Sequence, residues 1–198
     1  MINYPKGIRT NFSRKHSRRK RPIRYGRRGM ALEAKINEAN SYYLSNHLAV
    51  IHKKPTPITV VHVAYPDRSM AKITEAYYVK PSTTDYNGVV NGHYIDFDAK
   101  ETKNKTSLPM KNFHQHQITH LKSVLENGGI GFFILGFSTL KEYYIFPASK
   151  LIKIWRKSQL GGNKSISYQE IVQNGKKINN KILPTLDYLP ALKDFFKI

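Results

Sequence analysis

The chain has 198 residues, of which 40% are hydrophobic and 23% charged, ordinary proportions for one folded domain that exclude a wholly disordered protein. Lys and Arg number 33 against 13 Asp and Glu, which gives a formal net charge of +20. A charge of this size attracts polyanions at long range, so nucleic acid is the first candidate partner. The absence of cysteine excludes disulfides and thiolate metal sites.

The basic residues are concentrated at the N-terminus. Residues 1–28 carry 11 cations and no acidic side chain, which predicts a flexible basic arm, with Arg27 and Arg28 at its end as expected DNA contacts. Residues 29–198 remain basic without the arm and are expected to form one folded domain. No stretch is typical of a secretory signal or a membrane span, so we expect a cytoplasmic protein without membrane contact.

The first predicted elements follow the arm. Apolar residues recur every three or four positions over residues 30–45, which predicts a helix. A strand is predicted over residues 48–53, where prolines stop it. Two further strand-like stretches, residues 58–65 and 71–79, predict a β-hairpin.

A second hairpin is predicted over residues 85–100. Its turn is Asn91-Gly92, the dipeptide that best fits a two-residue type I′ turn. Beyond it, the pattern predicts a helix over residues 113–125 and a buried strand over residues 130–137, with an antiparallel neighbour at 143–146.

The last predicted elements are helical. Residues 147–157 have a helical pattern, and Ser167 with Glu170 forms a capping-box signature for a short helix. Strands alternating with helices in this way predict an α/β fold with a mixed central sheet flanked by helices.

One predicted strand carries an unusual row of ionisable side chains. With side chains alternating between faces, Asp96, Asp98 and Lys100 share one face, opposite the apolar residues of the same strand. Asp85 lies on the partner strand and can approach Asp98. Two converging carboxylates repel unless a cation lies between them, and oxygen ligands of this kind suit Mg²⁺. A bound metal and Lys100 would together supply what phosphodiester hydrolysis needs.

Two simpler interpretations stay open on residue types alone. Asp98 and Lys100 could form an exposed cross-strand charge pattern, which is the commoner occurrence. The triplet Glu101-Thr102-Lys103 also has an acid-x-base spacing. It is disfavoured as the site because a continuous register places Glu101 and Lys103 on the apolar face.

Three longer motifs favour the catalytic interpretation. Residues 51–57, 81–88 and 95–105 closely resemble the RecU family of bacterial Holliday junction resolvases. The resemblance runs from about Arg28 to Gly128 and more loosely to Tyr188. It implies a fold similar to type II restriction endonucleases and a homodimer that nicks two opposite strands of a four-way junction symmetrically.

The resemblance also implies roles for individual residues. By motif, Asp85 and Asp98 would be metal ligands and Lys100 the transition-state stabiliser, with Mg²⁺ as the cofactor and Mn²⁺ as a substitute. Thr83 and Gln117 match positions that the family also assigns to the metal site. The family usually has Glu where this chain has Asp98, so the shorter side chain puts metal affinity or rate in doubt.

The remaining expectations concern DNA contacts and more distant partners. The resemblance implies that residues 58–79 form a projecting stalk that enters the open centre of the junction, with Arg68 and Lys72 contacting DNA. Lys53 and Lys54 are expected to contact the DNA backbone. Glu33 is expected to interact with the metal from outside its direct ligands. The resemblance also implies recombinase and branch-migration proteins as possible partners.

The sequence is also compatible with other functions. His114, His116 and His120 suggest zinc, but no well-placed third ligand is evident, and a helix-surface or DNA-facing role is favoured. A non-catalytic DNA- or RNA-binding protein would explain the charge but not acidic residues facing phosphates. Composition does not exclude a restriction- or repair-type nuclease acting on linear duplex, and only the resemblance and the stalk-like hairpin favour a branched substrate.

Overall fold

The computed structural model describes residues 30–67 and 70–198, so the basic arm with Arg27 and Arg28, and also Arg68, lie outside the described residues. The helices found in this part of the chain are α1 (Met30–Ser45), α2 (Gln115–Glu126), α3 (Ala148–Gln159), α4 (Tyr168–Asn174) and α5 (Leu189–Phe196). The strands are β1 (Val50–Lys53), β2 (Ile58–Asp67), β3 (Met70–Tyr78), β4 (Tyr86–Val90), β5 (His93–Thr102), β6 (Ser107–Pro109), β7 (Ile130–Phe137), β8 (Glu142–Pro147), β9 (Ser165–Ser167), β10 (Lys176–Asn180) and β11 (Leu186–Asp187).

A seven-stranded mixed sheet is the centre of the fold, in the order β1-β4-β5-β7-β8-β10-β11. Within the described residues, β5 and β7 form its one parallel pair, and the other neighbours are antiparallel. Helices α1 and α5 pack on one face of the sheet and helices α2, α3 and α4 on the other, each over its own apolar cluster. The expected α/β fold with a mixed central sheet flanked by helices is confirmed.

Strand β5 has the register that the sequence predicts. It follows β4 through Asn91 and Gly92, whose φ angles of 48° and 81° are both positive, as a type I′ turn requires. Its pairing with β7 continues from Ile95 to Thr102 without a bulge. Because the register is unbroken, the side chains of β5 alternate strictly between the two faces of the sheet.

The stalk hairpin is separate from the main sheet. Strands β2 and β3 pair with each other as a two-stranded antiparallel sheet, and neither belongs to the seven-stranded sheet. Every residue of β3 is exposed, including Lys72. The hairpin predicted from sequence is therefore confirmed, and its side chains are available for contact with another molecule.

Several short elements were not predicted. A 3-10 turn (Met110–Asn112) precedes α2, and β6 pairs with β9 in a separate two-stranded sheet. Strands β10 and β11 extend the main sheet beyond β8, and α5 is the last helix in chain order. None of the helices in residues 30–67 and 70–198 is long and apolar enough to cross a membrane.

The contact of β1 with β4 gives a test of the fold. A methyl group at Gly88 would overlap the carbonyl oxygen of Val50 and come within 2.7 Å of Ile51 Cα. We expect Gly88→Ala to lower the free energy of unfolding by about 1–3 kcal/mol, measured by urea denaturation, because the backbone of β1 must move. Val89→Ala is the control, since the Val89 side chain is 47% exposed and should cost less than about 1 kcal/mol. Equal stability of the Gly88→Ala variant and the parent would contradict this packing.

Candidate active site

Three elements bring the candidate residues together. Asp98 and Lys100 project from β5, and Gln117 lies in the first turn of α2. Asp85 directly precedes β4, where Tyr86 pairs with Phe97 of β5, so Asp85 lies beside the position of Asp98. The carbonyl oxygen of Asp85 accepts a hydrogen bond of 2.7 Å from the backbone N–H of Lys54. Because Lys54 directly follows β1, this bond holds the segment before β4 against the end of β1.

Asp98 is a fully buried carboxylate with incomplete hydrogen bonding. Its Oδ2 accepts a hydrogen bond from Gln117 Nε2. Its Oδ1 lies 2.6 Å from Lys100 Nζ without the angles of a hydrogen bond, so within the described residues Oδ1 has a charge partner and no aligned donor. Burial raises the pKa of Asp98 to about 6, since it outweighs the opposing charge of Lys100, and the negative charge of Asp85 raises the pKa further.

Gln117 and Thr83 could each supply a neutral oxygen. Gln117 donates to Asp98, and its Oε1 accepts a 3.2 Å hydrogen bond from the backbone N–H of His114 as part of a capping box. Turning the amide about its last bond would exchange the nitrogen and the oxygen and direct the oxygen towards Asp98. The half-buried hydroxyl of Thr83 donates to the carbonyl oxygen of Thr84 at 3.1 Å, and its lone pairs stay available as acceptors.

These residues fit a divalent cation with oxygen ligands. Two neighbouring carboxylates raise each other's energy when both are ionised, and one of their oxygens is buried without a donor. A cation would relieve both costs, and Mg²⁺ takes one or two protein carboxylates while keeping waters in its other positions. Lys100 lies close enough to neutralise a charge that develops beside the carboxylates.

Asp96, on the same face of β5, is also fully buried but has the opposite electrostatics. Burial tends to raise its pKa, and side-chain hydrogen bonds more than offset this effect, so the pKa lies below its usual range. The donors are Thr84 Oγ1, Lys54 Nζ at 2.9 Å, Tyr94 OH at 2.8 Å and His120 Nε2 at 3.0 Å. The sequence placed Asp96 on this face without revealing these donors, because the residues lie far apart in the chain.

The expected DNA-contacting and outer-shell residues have internal partners. Lys54 Nζ contacts Asp96 and is only 19% exposed, while Lys53 Nζ lies 2.5 Å from Glu33 Oε2 near the surface. Burial raises the pKa of Tyr86, and the charges of Glu33, Asp85 and Asp98 add to the rise, so Glu33, like the two aspartates, lies near Tyr86. The roles of Lys53, Lys54 and Glu33 stay predictions.

The three histidines lie in two different surroundings. The rings of His114 and His116 stack with their centroids 5.6 Å apart, whereas His120 contacts Asp96. Burial lowers the pKa of His116, and the charges of His114 and Lys100 lower it further. Residues 30–67 and 70–198 contain no group of three or more His, Cys, Asp or Glu side chains placed to hold a metal ion.

A buried carboxylate with a half-buried acid and a lysine beside it, on a mixed sheet in a strongly basic chain, is chemistry suited to a nuclease. The family Recombination protein U matches residues 27–194 of the sequence. A protein of Oenococcus oeni named Holliday junction resolvase RecU is 71% identical to this chain over 198 residues. The alignment covers the full length of both proteins. This chain therefore belongs to the RecU family.

More distant relatives have the same name. The Leuconostoc citreum protein is 56% identical over 99% of this chain and 98% of its own length, and the Bacillus thuringiensis protein is 49% identical over 96% of each. A solved structure of the Archaeoglobus fulgidus Holliday junction resolvase Hjc aligns with a TM-score of 0.41 and 11% identity, over 71% of this chain and 93% of that chain.

The buried charge of Asp98 gives a stability prediction. We expect Asp98→Asn to raise the free energy of unfolding of the metal-free protein at pH 7 by about 1–3 kcal/mol, because the raised pKa means that ionised Asp98 destabilises the fold. The folded pKa of about 6 exceeds the unfolded value, so this destabilisation develops as pH rises through 6. The gain should therefore disappear as the pH is lowered towards 4, in urea denaturation with EDTA.

Asp96→Asn is the matched comparison on the same strand. Because the pKa of Asp96 is lowered, its ionised form stabilises the fold, and we expect the variant to lose stability at pH 7. A stability change of the same sign in both variants would contradict the distinction between the two carboxylates.

Proposed function

We propose that this chain resolves four-way DNA junctions by Mg²⁺-dependent nicking of opposite strands in recombination and repair. The observation that carries the proposal is the buried, donor-poor carboxylate of Asp98 between Lys100 and the charge of Asp85. Its support is membership of the RecU family and the relatives named Holliday junction resolvase.

Each candidate residue has a role in this proposal. Asp85 and Asp98 hold Mg²⁺, and Thr83 and Gln117 supply neutral oxygens once the Gln117 amide has turned. The bound ion would polarise the phosphodiester and lower the pKa of a water molecule that attacks it. Lys100, whose Nζ lies 2.6 Å from Asp98 Oδ1, would leave this oxygen and neutralise the charge growing on the phosphate.

The DNA surface of the proposal includes the stalk and the basic arm. Lys72 lies on the exposed strand β3. Within the described residues, the side chains of β3 belong to neither apolar cluster. We assign Lys72 and Arg68 to the junction centre, and Lys53, Lys54, Arg27 and Arg28 to the DNA backbone. Lys54 can reach a phosphate only by releasing Asp96.

Symmetric cleavage requires two equivalent active sites. One chain brings one acid pair, and a four-way junction has two-fold symmetry, so two copies related by a two-fold axis would present one site to each of two opposite strands. A homodimer is therefore part of the proposal.

Cleavage of synthetic DNA tests the chemistry. With Mg²⁺ we expect nicking of a labelled four-way junction and little cleavage of linear duplex of the same sequence. Asp85→Ala should lower the nicking rate by about 100-fold or more while junction binding in EDTA is retained, because its loss removes a ligand and not a DNA contact.

Asp194→Ala is the control for that experiment. Asp194 contacts Lys176 and Lys197 on the surface of the described chain, and its removal should leave the nicking rate unchanged. Nicking that persists in EDTA or in Asp85→Ala would refute the metal-dependent mechanism, and equal cleavage of linear duplex would refute junction specificity.

The stalk gives a separate prediction. Lys72→Ala should weaken junction binding and reduce the slope of log affinity against log salt by about one, because one phosphate contact is lost. Lys153→Ala, an exposed lysine on α3, should change neither quantity. An unchanged salt slope for Lys72→Ala, measured by gel shift from low to moderate salt, would remove Lys72 from the DNA interface.

A further inference from the structure

Asp96 joins several parts of the chain that are distant in sequence. Its carboxylate is fully buried on β5, two residues before Asp98. Side chains from four separate places contact it: the segment after β1, the segment before β4, β5 itself and helix α2. These side chains are Lys54, Thr84, Tyr94 and His120.

Two of these donors are direct neighbours of the proposed metal ligands. Thr84 lies between Thr83 and Asp85 in the chain. His120 lies three residues after Gln117 on α2, which places the two side chains on the same face of the helix. The proposed ligands outside β5 thus come from segments that are hydrogen-bonded to Asp96.

Lys54 links the same network to the backbone of the site. Its Nζ contacts both Asp96 Oδ2 at 2.9 Å and Thr84 Oγ1 at 3.1 Å, while its backbone N–H donates to the carbonyl oxygen of Asp85. The segment from Thr83 to Asp85 is not part of a strand, so these contacts fix its position relative to β5.

We propose that Asp96, with Thr84 and His120, is the positioning group that fixes the distances from Asp85 and Gln117 to Asp98, and thereby the affinity of the site for its divalent cation. Asp96 itself does not touch the ion. The inference rests on the proposed function, because it assigns the network to that same metal site.

The short side chain of Asp98 makes this positioning necessary. Asp98 pairs with Phe133 of β7, and the preceding residue, Phe97, pairs with Tyr86 of β4, so the backbone of Asp98 is held in place and its short carboxylate has little freedom to follow a ligand that moves. A displacement of Asp85 or Gln117 therefore lengthens a metal–oxygen distance directly. Partners that orient metal ligands typically change metal affinity or activity by about 10–100-fold when they are lost.

The test removes one hydroxyl and then restores it. Thr84→Val has nearly the same shape as Thr84 but cannot donate to Asp96, whereas Thr84→Ser keeps the donor. We expect Thr84→Val to weaken Mn²⁺ binding to the DNA-free protein by about 10-fold or more, measured by electron paramagnetic resonance of free Mn²⁺. In junction nicking at fixed Mg²⁺, kcat should fall while KM for the junction is unchanged. Thr84→Ser should restore both quantities.

Thr185→Val is the matched control. Thr185 Oγ1 also donates to a carboxylate, Glu38 Oε2, at 2.7 Å, but this contact joins α1 to the segment before β11. The control should keep the Mn²⁺ affinity and kcat of the parent protein. An equal loss of Mn²⁺ affinity in Thr84→Val and Thr185→Val would overturn the inference, because the effect would then be one of general stability.

A second variant tests the α2 side of the network. His120→Ala should also weaken Mn²⁺ binding, and His120→Gln, which retains a donor, should recover part of the affinity. Parent-like Mn²⁺ affinity in a folded Thr84→Val protein, or in folded His120→Ala if Thr84→Val does not fold, would overturn the inference while leaving the proposed function intact. Failure of the parent protein to bind Mn²⁺ and to nick junctions would instead overturn the proposed function and this inference with it.

Discussion

The free-energy cost of keeping Asp98 out of water is the constraint on which the rest of the site depends. The carboxylate has zero exposed fraction, one oxygen without an aligned donor among the described residues, and a second acid nearby. The ammonium of Lys100 compensates only part of this cost, so the ionised carboxylate is destabilising unless a metal cation compensates the rest. The fold tolerates this cost because a large apolar core on both faces of the sheet supplies stability elsewhere.

The topology of the sheet determines which groups surround Asp98. Strand β5 lies between its hairpin partner β4 and the parallel strand β7, so its middle is paired on both sides. Helix α2 runs from the end of the β5–β6 region back to β7, and its first turn brings Gln117 onto Asp98. Asp96, only two residues away, is fully satisfied and holds the surrounding segments in place. One strand thus carries a stabilising carboxylate next to a destabilising one.

The sequence predicts the elements whose signals are local and strong. Helix α1 and strand β7 were predicted with the bounds that the structure has, from a helical period and an unbroken apolar run. The Asn91-Gly92 turn determined the register of β5 and hence the face on which Asp96 and Asp98 lie. Strands β9 and β11 have three and two residues, too few for a periodic pattern, and they form through tertiary pairing.

The side-chain network could not be predicted, for a related reason. His120 was considered as a zinc ligand or a DNA-facing residue and Lys54 as a DNA contact, but both contact Asp96 in the structure. These contacts join residues 24 and 42 positions apart in the chain, and no spacing in the sequence indicates them. The family motifs indicated which acids to consider, while the hydrogen bonds distinguish Asp98, which has one side-chain donor, from Asp96, which has four.

The most direct measurement is a crystal structure of the protein grown with Mn²⁺, with data collected for anomalous scattering. The account predicts an anomalous peak within about 2.5 Å of carboxylate oxygens of both Asp85 and Asp98, with Lys100 Nζ displaced from Asp98 Oδ1. A map in which Lys100 still contacts Oδ1 and no peak lies between the two carboxylates, at a Mn²⁺ concentration that supports nicking, would contradict it.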